Sequence, residues 1–533
     1  MKRLLSPLLL LLLSHVTFAQ REFSLDMWDW TTPCSDLPTF TKWAADLQSI
    51  GVTRIEISAP WNRLEPTPKH YDLSYIADRL AIAESHHLGL RVRINSFYSG
   101  ATPSWLQCAH ELDIAGKPPL GSWIIPSIND PAFWSSYAPL CTAIARQFKG
   151  HDILFNPFIG MHAELKWSDW WEYDPASLNL WKQAIHAAPR PDWLSRVVGD
   201  APLPEIPPIA PHTKGTPDTS PATLAHIAFR EHSYRNAVAQ FVAAIHAGDP
   251  LAKISVPLGE SYRSQSAEMS NLDYFGLSLG ASQIVHSYDF FWHYKDAPWY
   301  AAASVAAFHG ITRLPIQFEF DGPFLFEQLH YTTDTVTTLA QSAMSQGAGL
   351  KAANYSGSPK LPHEWPALLN FAKLCSTAPP PTDPPANQSI LLFISKWANY
   401  SYREPTPWLH DAQFGAWKML TDQHLPVRII CEDNLPEDLT HYKAIYIAFS
   451  PPALLPPADR ASLSHLASTL PSITELSTTP SSPPKNEPPP TTPLTTQHLT
   501  LNYPLAYHYL HDSNHSPSTQ LLSQALTSLQ ISP

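Results

Sequence analysis

Cysteine is scarce in this chain: five residues among 533 (Cys34, Cys108, Cys141, Cys375, Cys431), scattered and never in Cys-x-x-Cys spacing. That spacing excludes the common structural zinc clusters, so neither a metal nor a cofactor is expected. The odd count leaves at least one thiol free even where disulfides form. Positive charge is also short, 34 Lys and Arg against 46 Asp and Glu, a net −12 with no basic run. Nucleic acid is thereby excluded as a partner. The 25 histidines are dispersed and form no ligand pattern. Beyond the first twenty residues no apolar stretch is long enough to span a bilayer, so no membrane partner is expected. Met1–Ala19 itself reads as a secretory signal: Lys2 and Arg3, an apolar run from Leu8 to Leu13, then small residues at Thr17 and Ala19 suited to cleavage before Gln20. The expected location is secreted or periplasmic.

What the chain has is strands alternating with helices. Phe23–Trp30, Val52–Ser58, Leu90–Asn95 and the run from Ile153 to Gly160 read as strands. Leu37–Ile50, closed by Gly51, and Tyr75–His87 and Phe133–Phe148 read as helices between them. Asp192–Gly215 is proline-rich and reads as an excursion on the loop face, followed by a long amphipathic helix over Ala225–Ala247. Lys253–Pro257, Tyr274–Leu279, Leu314–Phe318 and Gly349–Tyr355 then supply strands five to eight. Eight such units predict an α/β fold, a (β/α)8 TIM barrel over residues 20–377. The stretch 378–387 is a stiff proline-rich linker. Short apolar strands at Ile390–Ser395, Val427–Cys431 and Ala444–Phe449 predict a small α/β domain over 388–475. Residues 476–533 open on a Pro/Ser/Thr-rich segment and end in a tail with weak strand and helix signals.

Two of these strands end in acids. Glu164 follows the fourth, and Glu319 closes Leu-Pro-Ile-Gln-Phe-Glu-Phe-Asp, with Asp321 competing for the same role. Carboxylates at the C-terminal strand ends of one barrel are what glycosidic bond cleavage requires. Alternation puts Glu319 on the face opposite Phe318 and Phe320. Glu260, after strand five, is a rival acid. Glu56 reads as a structural partner of Arg54 or Arg93, and Glu65 as a loop-holding residue. The 18 tryptophans lean toward carbohydrate: Trp30, Trp61, Trp167, Trp292 and Trp365 are candidate platforms for sugar rings.

The series Gly51-Val-Thr-Arg-Ile-Glu-Ile-Ser-Ala-Pro-Trp-Asn-Arg-Leu-Glu-Pro66, then Tyr71-Asp-Leu, Gly89-Leu-Arg-Val-Arg-Ile and Thr102-Pro-Ser-Trp-Leu106, resembles clan A glycoside hydrolases of the family 42 β-galactosidase type. The resemblance implies Glu164 as acid/base and Glu319 as nucleophile of a retaining exo-β-glycosidase acting on an oligosaccharide or glycoside. It also implies that the second domain is amidotransferase-like, without that chemistry because no Gly-x-Cys-x-Gly elbow occurs, and that it holds a trimer together. Two features depart from the family: the asparagine before the acid/base is Ala163 here, leaving His162 or Asn95 for the sugar 2-hydroxyl, and the zinc-binding cysteines are missing. Ala163-Glu-Leu-Lys-Trp167 is also similar to the Gly-Glu-Leu-Arg-Tyr of inverting β-amylases. The alternatives are an inverting or differently specific glycosidase, such as a β-mannosidase or β-glucosidase, and a non-catalytic carbohydrate-binding barrel.

Overall fold

A computed structural model describes residues 21–27, 36–97, 100–118, 124–158, 172–208, 217–258, 280–286, 297–312, 314–321, 330–354, 361–378, 389–401, 407–450, 452–475, 498–501, 505–511 and 516–531. Eight parallel strands close a barrel: β1 Phe23–Met27, β2 Arg54–Pro60, β3 Gly89–Asn95, β4 Ile153–Phe158, β5 Lys253–Leu258, β6 Gln283–His286, β7 Ile316–Asp321 and β8 Gly349–Asn354. Pairing of β1 with both β2 and β8 shuts the ring. The sixth strand lies at Gln283–His286, whereas Tyr274–Leu279 falls outside the described residues. Tyr-Phe-Gly-Leu-Ser-Leu has the apolar-aromatic look of a buried strand, yet the sixth place in the ring is taken by the segment after it. A four-residue strand with polar ends, Gln-Ile-Val-His, has too little periodicity to announce itself.

Alternation divides each strand between two environments. Ile55, Ile57, Leu90, Val92, Ile94, Ile254, Val256, Phe318, Phe320 and Leu350 are buried in one large apolar core shared with the surrounding helices. The Phe320 ring lies 4.9 Å from that of Phe371 on the helix Leu361–Thr377. The opposite strand face points into the barrel.

Helix ends follow their local chemistry. Asp36, Asp130 and Asp174 cap three helices by accepting backbone N–H bonds. At the end of Leu37–Ser49, Gly51 takes φ +94 while its N–H bonds to Gln48 O and that of Val52 bonds to Leu47 O. That pair of bonds is the Schellman geometry, which glycine adopts without steric cost. The proline-rich excursion carries a short helix, Asp192–Val198, packed on the long helix Pro221–Gly248 and outside the barrel ring.

A second sheet, wholly parallel and ordered β10-β9-β11-β12-β13, follows: β9 Ser389–Ile394, β10 Val427–Ile430, β11 Tyr442–Ala448, β12 Ser472–Glu475 and β13 His498–Leu501. This is the doubly wound, flavodoxin-like order. The tail contributes its fifth strand and two helices, Leu505–His511 and Ser516–Ser528. Among the described residues no helix is long and apolar enough to cross a membrane. The four described cysteines, Cys108, Cys141, Cys375 and Cys431, are unbridged thiols.

Candidate active site

The interior of a (β/α)8 barrel is usually filled with branched apolar side chains in layers of four, taken from alternate strands. Here it is filled with charge. Continuing the register from Phe158 on β4 through Pro257, Val285, Gln317 and Gly349 and on around β1, β2 and β3 returns to the β4 line at Gly150, eight residues lower. Constant height therefore climbs one residue per strand. The lowest polar layer holds Ser24, Arg91, Ser255 and Gln317; above it lie Glu56, Asn156 and Lys351; above those, Asp26, Arg93 and Glu319. All ten side chains are buried.

Lys351 is the hub. Its Nζ lies 2.6 Å from Glu319 Oε2, 2.8 Å from Glu56 Oε2 and 3.3 Å from Asp26 Oδ2. Arg93 closes the ring, 2.7 Å from Glu56 and 3.3 Å from Asp26. Beneath, Arg91 reaches Glu56 at 3.2 Å, Gln317 Oε1 at 2.6 Å and Glu22 at 3.2 Å, and Asn156 donates to Glu56 Oε1 at 3.2 Å. Burial alone penalises every one of these charges, and only pairing keeps them.

The pairing is uneven. Burial is the largest influence on Glu56 and works against its charge, but Arg93, Lys351 and Arg91 together hold its carboxyl below the ordinary range. Asp26 goes the other way: burial first, then Glu56 and Glu319, push its carboxyl well above the ordinary range despite Lys351 and Arg93. Burial would strip the proton from Lys351, but Glu319, Glu56 and Asp26 outweigh it and raise its pKa. Outside this cluster of charges Arg54 is matched by Asp152 at 3.1 Å.

Glu319 sits as alternation predicts, inside the barrel with Phe318 and Phe320 on the helix side. Asn95 is at the upper end of β3, buried, its Oδ1 accepting from Phe97 N at 3.1 Å and its Nδ2 3.4 Å from Ser58 Oγ. Trp61 is not a platform. It is fully buried, its ring edge-on to Trp105, Phe133 and Tyr137, and its Nε1 donates to Glu65 Oε2 at 2.8 Å. The aromatic density that suggested a sugar surface there is core packing beneath the β2 loop. Glu65 holds that loop, accepting also from Lys69 N at 2.7 Å. Glu56 is the partner of Arg93 and not of Arg54, which turns outward to Glu22 and Asp152. Trp30, His162, Glu164, Trp167, Glu260 and Trp292 lie outside the described residues. Trp365 falls on the helix Leu361–Thr377.

A second polar knot stands just beyond the stretch that carries Glu164. Glu172, fully buried and at φ +66, lies 2.8 Å from Arg230 Nε on the long helix. Its neighbour Asp174 caps the helix Pro175–His186. Glu111, from the loop after β3, is buried nearby. Burial and then the field of Asp174 push its carboxyl well above the ordinary range.

Sequence reasoning missed Lys351, Arg91 and Asp26. The signal for Lys351 was available: a lone lysine inside the otherwise apolar Gly349-Leu-Lys-Ala-Ala is buried only if paired. Asp26 and Arg91 give no such signal, because which acid meets which base is set by the barrel's stagger.

No family model and no curated protein matches the sequence. Solved structures do match in fold. A β-galactosidase from the psychrophilic Marinomonas ef1 aligns at TM-score 0.59 and 13% identity, over 85% of this chain and 75% of that one. A β-galactosidase from the Antarctic haloarchaeon Halorubrum lacusprofundi aligns at 0.61 and 12%, over 85% and 72%. An exo-β-1,4-mannosidase from Opitutaceae bacterium strain TAV5 aligns at 0.51 and 12%, over 86% and 77%. At such identities the likeness is one of fold.

Proposed function

We propose that this chain is an exported, retaining exo-β-glycosidase, with Glu319 as nucleophile and Glu164 as acid/base. The observation that carries the reading is Glu319: a carboxylate inside a (β/α)8 barrel, on β7, held at 2.6 Å by a buried ammonium. In the first step a Glu319 oxygen attacks the anomeric carbon while the bond to the leaving oxygen breaks and Glu164 protonates that oxygen. In the second, water deprotonated by Glu164 displaces Glu319. The fold likeness to two β-galactosidases and a mannosidase supports a β-linked sugar, galactose first and mannose second.

A panel of aryl β-galactoside, mannoside, glucoside, fucoside and arabinoside on purified protein tests the reading, with proton NMR of the first sugar released. Retention yields the β-anomer first and requires the two carboxylates about 5 to 5.5 Å apart. An α-anomer at early time overturns the mechanism and removes Glu319 as nucleophile. Glu319→Gln should lower kcat on the order of 10^3-fold or more. Glu164→Ala should cost on the order of 10^2- to 10^4-fold on natural glycosides and much less on aryl glycosides that leave without a proton. Sedimentation at micromolar concentration tests the accompanying inference that the second domain assembles a trimer; a monomer removes it.

A further inference from the structure

We propose that Lys351 is a positioning residue for Glu319, holding its carboxylate paired and aimed, with Glu56 as the counter-charge and Asp26 as the further carboxyl partner that retain the lysine when Glu319 is consumed. The proposal rests on the glycosidase reading above and deepens it. Three observations carry it. The Lys351–Glu319 contact, at 2.6 Å, is the shortest of the three that Nζ makes to carboxylates among the described residues. Both side chains are buried, Lys351 fully and Glu319 to within 3% of its surface, so bulk water screens the pair weakly. The two come from adjacent strands, Glu319 registered directly with Lys351, so the contact is fixed by the ladder and not by a loop.

The sharing of one ammonium among three carboxylates has a chemical use. A nucleophilic carboxylate loses its charge when it becomes a glycosyl ester. A lysine with no other partner would then be stranded in a low-dielectric interior and would drift or lose its proton. Lys351 keeps Glu56 at 2.8 Å and Asp26 at 3.3 Å, so it stays charged and in place through the intermediate and re-pairs when water restores the carboxylate. The groups that face it are Glu319 from β7, Glu56 from β2, Asp26 from β1 and the competing cation Arg93 from β3. Glu319 is also one of the acids that raise Asp26, so esterification lowers the cost of charging Asp26 just when Lys351 has lost its nearest partner.

Two measurements on the full chain test this. In the kinetic arm, Lys351→Met should lower kcat about 100-fold with little change in KM. The acid limb of its kcat/KM profile should move about one pH unit upward, and Lys351→Arg should restore the limb. A folded Lys351→Met with the wild-type limb overturns the proposal. In the second arm, thermal denaturation compares Lys351→Met with Lys351→Met/Glu319→Gln. Removing the buried carboxylate that has lost its ammonium should make the double variant the more stable of the two, and a double variant no more stable than the single overturns the contact. A wild-type protein that cleaves no glycoside takes down the functional reading alone, because the denaturation arm still decides whether Lys351 holds Glu319. Where Lys351→Met does not fold, the neutral polar variants Lys351→Gln and Lys351→Gln/Glu319→Gln take its place in both arms, with the same expected and overturning results.

Discussion

Trp61 is where residue-level reading and three-dimensional packing part company. Its neighbourhood in sequence, Trp-Asn-Arg-Leu-Glu-Pro, looks like a loop offering a ring to a ligand, yet all of its surface is inside. Trp61→Ala should therefore act on stability and not on substrate binding, costing about 3 to 5 kcal/mol for the cavity and the orphaned Glu65 acceptor. Urea denaturation checks the loss, and an unchanged melting profile with a raised KM would return Trp61 to the substrate. Aromatic type cannot distinguish a platform from a core residue, since both want a large flat apolar surface. Acids and bases were more legible. The flanking phenylalanines put Glu319 on the inner face, and the neighbours of Glu56 and Glu65 mark both as structural. What a single position does not encode is a partner on a distant strand of the chain. Lys351, Glu56 and Asp26 meet because a barrel brings β8, β2 and β1 together.

Elements were legible where their period was long and their ends were marked. The helix closed by Gly51 and the helix Pro221–Gly248 stand close to where spacing put them; β6, four residues long, did not. The elements that follow β4 are tied by chemistry that no periodicity reports. Glu172 adopts a left-handed backbone that costs a non-glycine residue of order 1 kcal/mol or more, and its side chain is anchored by the ion pair with Arg230. Arg230→Met should leave the buried Glu172 carboxylate without this guanidinium and cost about 3 to 5 kcal/mol. Glu172→Gln in the same background should recover part of that loss, since it removes the stranded charge. Chemical denaturation of the two single variants and the double variant provides the check; simple additivity would mean that the two side chains do not support one another.

At the scale of the whole molecule, the barrel and the second sheet are joined at the place where doubly wound sheets usually bind ligands, the carboxyl ends of their strands. Lys396, just after β9, reaches Glu231 of the barrel's long helix at 3.0 Å and Asp433 at 2.5 Å, and Arg196 reaches Asp459 at 2.6 Å. These side chains line a cavity of about 90 Å³ along the seam. Behind them Glu432 accepts from Lys396 N at 3.0 Å and from the Ser395 hydroxyl. Burial, with Asp459 adding to it and those hydrogen bonds opposing, pushes its carboxyl up to about 7 from an ordinary 4.5. The folded state then holds a proton that the unfolded state has released, so this group's contribution falls as pH rises from about 4.5 through 7. Glu432→Gln should be near neutral at pH 5 and stabilising at pH 8, by at most about 3 kcal/mol. The comparison must be between variants at each pH. His226 and His232, lowered by burial first and then by Arg230 and Arg235 respectively, tilt the wild-type curve the opposite way. The other half of the seam is steric. Gly310, in the last turn of Trp299–Ile311, faces the β10 backbone so closely that a Cβ would stand 1.8 Å from Ile429 O, and Asn434 Nδ2 donates to its carbonyl at 2.8 Å. An alanine inside a helix ordinarily gains about 1 kcal/mol over glycine. Here the methyl meets backbone that no rotamer change can move, so the sign should reverse, with a loss of about 1 to 3 kcal/mol. Because the clash lies between the two sheets and inside neither, Gly310→Ala should part their unfolding. Calorimetry should show a single wild-type transition broadening or splitting, with the Asn434 bond lost. A single sharp transition at or above the wild-type temperature would mean that the barrel and the sheet do not depend on this contact.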